Sequence, residues 1–117
     1  MQRVATPGVN DALRALLAEV KPCVRSKPLF VKLSPNAPDI VRMAAAAIEG
    51  GAQALVVANT FTAMAIDVET RAFRLSRGRG GLSGPGIHPI VVRMVHDVHR
   101  QVAAAAGVPI IALGGVS

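Results

Sequence analysis

The sequence predicts an α/β fold in which parallel strands alternate with covering helices, and three observations carry that reading. Three short aliphatic runs, "LFVKL" (29–33), "ALVVA" (54–58) and "VPIIAL" (strand 110–113), recur along the chain. Stretches with helical apolar spacing separate them. Of the 117 residues, 51% are apolar, mostly Ala, Val, Ile and Leu, with no Trp, no Tyr and three Phe. Continuous aliphatic strands of this kind belong to parallel sheets covered by helices.

Asn10 can cap a first helix over 12–20, with Leu13, Leu16, Leu17 and Val20 on one face, and "KPCVRSKP" then breaks it. The strand at 29–33 ends in "SPNAPD". Asp39 starts a second helix, whose Ile40, Val41, Met43, Ala44, Ala47 and Ile48 are apolar, and Gly50-Gly51 stops it. After the strand at 54–58 comes an insertion, 59–86, in which "AMAIDVE" and "AFRLS" can pair as a hairpin around Thr70 and Arg71. A third helix runs over 87–105, with Ile87, Val91, Met94, Val95, Val98 and Val102 on one face. The strand at 110–113 follows, and "GGVS" closes the sequence.

The order α-β-α-β-insertion-α-β implies right-handed crossovers between neighbouring parallel strands. Each strand ends in a polar loop, "SPN", "NT" or "GGVS". In a (β/α)8 barrel those strand ends form the active-site face, and a closed barrel takes eight strands and typically about 250 residues. The expectation is a partial TIM barrel, residues 1–117 being a fragment of a single barrel domain.

Composition narrows the function. The net charge is +6, but the Lys and Arg residues are scattered and no aromatics interleave with them for base stacking, so nucleic acid is not expected. A single cysteine, Cys23, excludes an internal disulfide and a CxxC metal site. No apolar run reaches the roughly 20 residues of a membrane span, and no signal-peptide region opens the chain. A cytoplasmic protein without a membrane segment is expected.

Lys32 stands inside an apolar strand. It is either an edge-strand lysine pointing to water or a cation at the barrel mouth facing an anionic ligand. Asn59 and Thr60 occupy the matching place after the next strand. They are a turn cap or, since an amide offers donor and acceptor together, partners for an amide- or imide-bearing ring. "GGLSGPG" (80–86) and Gly114-Gly115 are either a flexible loop and a tight turn, or backbone that approaches a phosphate closely. Cys23 lies between a helix and the next strand, hence at the structural end of a barrel. His96 and His99 lie off the apolar stripe and have no third ligand beside them, so no metal site is expected.

"FVKLSPNAPDIV", "ANTFTAMAIDVETR", "GGLSGPGIHPIVVRMV" and "VPIIALGGVS", in this order and spacing, resemble the class 1 dihydroorotate dehydrogenases, nearest to the catalytic subunit of the NAD-linked type 1B enzyme. The pyrimidine-reducing domain of dihydropyrimidine dehydrogenase has similar motifs and is the alternative. The resemblance implies FMN-dependent oxidation of dihydroorotate to orotate in pyrimidine biosynthesis, with the chain supplying roughly the fifth to seventh barrel strands. It implies that Lys32, the Ala58 backbone, Gly84, Gly114 and Gly115 bind FMN and that Asn59 and Thr60 bind orotate. It also implies a homodimer and, for type 1B, a separate FAD and iron–sulfur subunit, leaving the electron acceptor open. His88 stands where the family often has Lys, and "SRGRGG" is more basic than the family's run. The family's cysteine base falls before residue 1, so no catalytic residue is assigned, and Cys23 cannot stand in for it. A non-catalytic, shortened product is the competing expectation.

Overall fold

The structure, a computed structural model, describes residues 8–116. Helix α1 (Val9–Val24) starts one turn earlier than its sequence signal. Gly8, not Asn10, precedes it, and the Gly8 carbonyl accepts from the N–H groups of Asp11 and Ala12 at 2.9 and 3.0 Å. The helix also runs through Pro22, which forgoes one backbone bond in an exposed last turn, and it ends two residues later at Val24, followed by Arg25, whose φ is +52°. Leu17 is buried and Leu13 packs beside it, whereas Leu16, expected on the same face, is 55% exposed.

Helix α2 (Ile40–Glu49) begins where the sequence says it should: the Asp39 carboxylate accepts from the N–H groups of Val41 and Arg42, both at 3.0 Å. Its end is shaped by packing as well as by termination. A Cβ at Gly50 would run into Leu17 of α1, and Gly51 takes a φ of +94°. The Arg14 guanidinium joins the two helices, pairing with Glu49 and Asp11, and these partners raise its pKa, the Glu49 hydrogen bond most.

The main sheet holds β1 (Phe30–Leu33), β2 (Ala54–Val57) and a strand further along the chain (Ile110–Ala112), all parallel, with β2 in the middle. Lys32 pairs in register with Val56, and Val56 with Ile111. Because strand side chains alternate, Val31, Leu33, Leu55 and Val57 face the helices and form the core with Ala44, Ala47, Met94, Val98 and Ala103. Each large aliphatic side chain fully buried there contributes about 1.5–3 kcal/mol. The other face carries Phe30, Lys32, Ile111 and Leu113, all exposed.

The insertion is more ordered than its glycine content suggested. After β2, β3 (Phe61–Ala63) leads out. The hairpin strands β4 (Ile66–Asp67) and β5 (Ala72–Phe73) pair antiparallel around Thr70 and Arg71, as expected. The chain then returns as β6 (Gly80–Leu82), antiparallel to β3. The "GGL" part of the glycine-rich run is therefore a strand. A Cβ at Gly81 would overlap the Thr60 side chain, which explains that glycine without a ligand.

The third helix is not one continuous α-helix. A 3-10 turn (Pro85–Ile87) leads into α3 (His88–Val98), a π-helical turn (His99–Ala103) follows, and a last α-helical turn, α4 (Ala104–Ala106), ends at Gly107 with φ +65°. The extra residue in the π turn moves the inward position from the expected Val102, which is half-buried, to Ala103, which is fully buried. The last strand of the main sheet, Ile110–Ala112, is β7.

Candidate functional site

Parallel pairing leaves the carboxyl ends of β1, β2 and β7 at one end of the sheet, and Lys32, Ala58, Asn59, Thr60 and Gly114 meet there, whereas Gly84 and Gly115 are not among the residues lining the space. A cleft of 170 Å³ is lined by Lys32, Ala58, Asn59, Thr60, Ser83, Ile87, Leu113 and Gly114. Four chain segments that are distant in sequence thus close on one space.

Lys32 reaches it because alternation along β1 sends its side chain to the face opposite Val31 and Leu33. β1 is an edge strand of the three, so both sequence readings of this lysine describe part of its setting: it is exposed, and it borders the cleft. No carboxylate of the described residues lies within ion-pair distance of its ammonium. Ala58 follows β2. Its N–H is committed to the Leu113 carbonyl at 3.1 Å, tying the ends of β2 and β7 together, so only its carbonyl is left for a ligand. Asn59 and Thr60 are exposed. The Asn59 Oδ1 accepts from the Thr60 N–H at 2.8 Å, which leaves its amide N–H groups as the unused donors.

The two glycine clusters come together. Gly84 has φ +99° and nothing within 4 Å of where a Cβ would stand, so its open side could admit a flat ligand. Gly114 (φ +133°) sits against Ile87 and Val91, and a Cβ on Gly115 (φ +68°) would lie 2.7 Å from the Gly84 carbonyl oxygen. Neither the Gly114 nor the Gly115 N–H donates a backbone hydrogen bond among the described residues. The donor set is a cation, a carboxamide, a hydroxyl and backbone N–H groups in left-handed turns. It suits an anionic, hydrogen-bonding ligand such as a phosphate-bearing flavin.

The cleft holds no carboxylate, histidine or cysteine. Cys23 is exposed on the last turn of α1, which leads into the amino end of β1, away from the cleft. His96 and His99 are exposed, and among the described residues no group of three potential metal ligands assembles. No described helix is long and apolar enough to cross a membrane.

Two residues at this end were not singled out from the sequence. Ser83 lines the cleft. Asn36 bridges two segments: its Nδ2 donates to the Thr60 carbonyl at 3.1 Å, and its Oδ1 accepts from the Thr62 N–H at 2.8 Å. Its place inside "KLSPN", four residues after Lys32, was the available signal.

The family model described as dihydroorotate dehydrogenase matches residues 4–117. Dihydroorotate dehydrogenase A (fumarate) of Lactiplantibacillus plantarum is 46% identical over 109 residues, covering 93% of this chain and 34% of that protein. The catalytic subunit of dihydroorotate dehydrogenase B (NAD(+)) of Geotalea daltonii is 52% identical over 102 residues, covering 85% of this chain and 32% of that protein. The corresponding B-type subunit of Solidesulfovibrio magneticus is 46% identical over 111 residues, covering 94% and 35%. Relatives of both names therefore match at similar identity, and the chain spans about a third of the length of the curated relatives it matches. A match that runs through all three parallel strands and every cleft residue makes this chain a member of the dihydroorotate dehydrogenase family.

Proposed function

We propose that this chain forms part of the flavin and substrate site of an FMN-dependent dihydroorotate dehydrogenase, which oxidises dihydroorotate to orotate in pyrimidine biosynthesis. The observation that carries this is the meeting of Lys32, Ala58, Asn59, Thr60 and Gly114 in one cleft, in a chain of this family. In this reading residues 1–117 are a fragment of one barrel domain, supplying roughly its fifth to seventh strands, and the protein works in the cytoplasm. Carboxyl ends of parallel strands are where β/α barrels build their active sites.

Lys32, the Ala58 carbonyl, Gly84, Gly114 and Gly115 would hold FMN, and Asn59 and Thr60 would hold the pyrimidine. When bound, FMN supplies the hydride acceptor for the oxidation. Lys32 places a fixed positive charge beside the ligand, where it favours negative charge on an adjacent ring. Asn59 turns unused amide donors towards a ring carbonyl, and the Thr60 hydroxyl can donate or accept. Gly114 and Gly115 offer N–H groups to a phosphate at a position where side chains would clash. These residues bind and orient. The described lining of the cleft holds no carboxylate, histidine or cysteine and its lysine is assigned to the flavin, so the proton acceptor in this reading lies outside it. Of the relatives, one is named for fumarate and another as the catalytic subunit of an NAD(+) enzyme.

The test is FMN titration, by flavin fluorescence, of a complete barrel carrying this segment, wild type against Lys32→Ala. Loss of one charge-assisted contact is worth about 1.5–3 kcal/mol, or roughly 10- to 100-fold in affinity. Saturable FMN binding weakened by that factor is expected. Absence of binding by the wild type, or equal affinity in the two, would overturn the assignment.

A further inference from the structure

The Asn36 carboxamide makes the two hydrogen bonds of a missing neighbouring strand. In a parallel ladder, one residue donates its N–H to the carbonyl before its opposite number and accepts from the N–H after it. Asn36 does both with a side chain: Nδ2 donates to Thr60 O (3.1 Å), and Oδ1 accepts from Thr62 N–H (2.8 Å), straddling Phe61. β3 is paired to β6 along one edge, with Thr62 opposite Gly81. The Asn36 carboxamide occupies the other edge at the point where the chain leaves β2. Asn36 is itself braced, since the Ser34 hydroxyl lies 3.3 Å from its backbone N and 3.5 Å from Nδ2.

We infer that Asn36 is a positioning residue for the substrate-binding turn. It ties the end of β1, four residues beyond Lys32, to the segment that carries Asn59 and Thr60. The β1–β2 register places Lys32 beside Val56, and the Asn36 side chain adds a second tie, beyond the strand ends, between the flavin-side cation and the pyrimidine-side amide. Two further contacts hold the same turn. A Cβ at Gly81 would overlap Thr60, so the Thr60 side chain rests on β6, and the Asn59 Oδ1 holds the Thr60 N–H. Without Asn36, the turn keeps those contacts and the Leu33–Val57 pairing that precedes it, and loses its side-chain tie to the loop after β1. The inference rests on the functional reading for what the turn binds, but not for the link itself.

The experiment therefore has two independent readouts on the purified protein, for wild type, Asn36→Ala and Asn36→Asp. The first is amide hydrogen exchange at Thr62, which needs no ligand. Asn36→Ala should speed it at least about tenfold, because the acceptor is gone. Asn36→Asp keeps an acceptor and should retain most of the protection. The second is orotate binding to the FMN-loaded protein, followed by the change in flavin absorbance. Both variants lose the donor to Thr60 O, so both should bind orotate about tenfold more weakly, about 1.4 kcal/mol. FMN affinity should change less than twofold in either. Thr62 exchange that is equally slow in Asn36→Ala and wild type would overturn the link, as would unchanged orotate affinity with faster exchange for its positioning role. Parallel loss of FMN and orotate binding would reduce Asn36 to general structural support and overturn the inference. If wild type binds no FMN, the functional reading and the positioning role built on it both fall, while Thr62 exchange still decides whether the link exists.

Discussion

Gly115→Ala separates two things a glycine can do in this fold. Gly115 and Gly107 take nearly the same left-handed φ, +68° and +65°, but their surroundings differ. At Gly107 nothing lies within 4 Å of a new Cβ. At Gly115 the Cβ would meet the Gly84 carbonyl oxygen at 2.7 Å and the His88 N and Cβ at 2.9 Å each. Two of those three atoms are backbone and cannot rotate away. The left-handed conformation costs an alanine about 1–2 kcal/mol at either site. The gain from a stiffer unfolded chain, about 0.4–1 kcal/mol, is common to both and cancels in the comparison. Overpacking at Gly115 adds about 1–3 kcal/mol. Gly115→Ala should therefore be less stable than Gly107→Ala by about 1–3 kcal/mol, a large share of the roughly 5–15 kcal/mol that holds a domain together. Urea unfolding of both variants without flavin, read by circular dichroism, measures the difference. Equal midpoints would refute the close approach of the β7 end to the start of α3.

In a complete barrel carrying this segment, Asn59→Ala should raise the Michaelis constant for dihydroorotate about tenfold while FMN retention stays near wild type, as steady-state kinetics and flavin content of the same preparation would show. Asp39→Ala removes the side-chain cap of α2 and should cost about 0.5–2 kcal/mol in urea unfolding, with Asp39→Asn recovering most of it. The Asp67 carboxyl is held below its ordinary value of about 3.9, first by the Thr70 backbone N–H and then by the Thr70 hydroxyl and the Glu69 N–H. A lowered folded pKa gives stability that is present above the ordinary value and lost as pH falls through the folded one. Protection of the Thr70 amide, taken relative to its intrinsic exchange rate at each pH, should accordingly be lost only below about pH 4, and Asp67→Asn should flatten that acid loss.

Much of this fold is legible from local patterns because its strands and helices carry single, unopposed signals. Asp39 caps, Gly50 and Gly51 stop, and three aliphatic runs become the three parallel strands in the expected neighbour order. The misreadings arise where a local signal met a competing local or tertiary one. Asn10 is a good capping residue, but the turn before it can be closed by the Gly8 carbonyl. Pro22 breaks helices, yet here its cost falls on one exposed turn. Periodicity carried Val102 inward, and one extra residue in the π turn put Ala103 there instead. Gly80 and Gly81 suggested a loop, but Gly81 is small because Thr60 needs the space, a contact between residues 21 apart in sequence. The cleft residues were legible as types at strand ends. Asn36 was not, because its role depends on where the chain leaves β2 for β3.

Alternation along β1 explains how this chain can carry a charged site without weakening its core. Val31 and Leu33 pack against the helices, and Lys32 between them faces the opposite side. Neighbours in sequence thus answer to different constraints, one set by burial and the other by a ligand. A slip of one residue in the β1–β2 register would exchange the two sets, burying an ammonium and exposing two aliphatic side chains. The cost of that exchange fixes the register, and the register in turn fixes Lys32 beside Val56, two residues before Ala58. The hydrophobic core therefore does more than hold the sheet together. It sets which end of the strand, and which face, the lysine presents to the cleft. Substituting Lys32 should disturb binding there and leave folding nearly intact, whereas substituting Leu33 by alanine would cost several kcal/mol of stability and misplace the lysine with it.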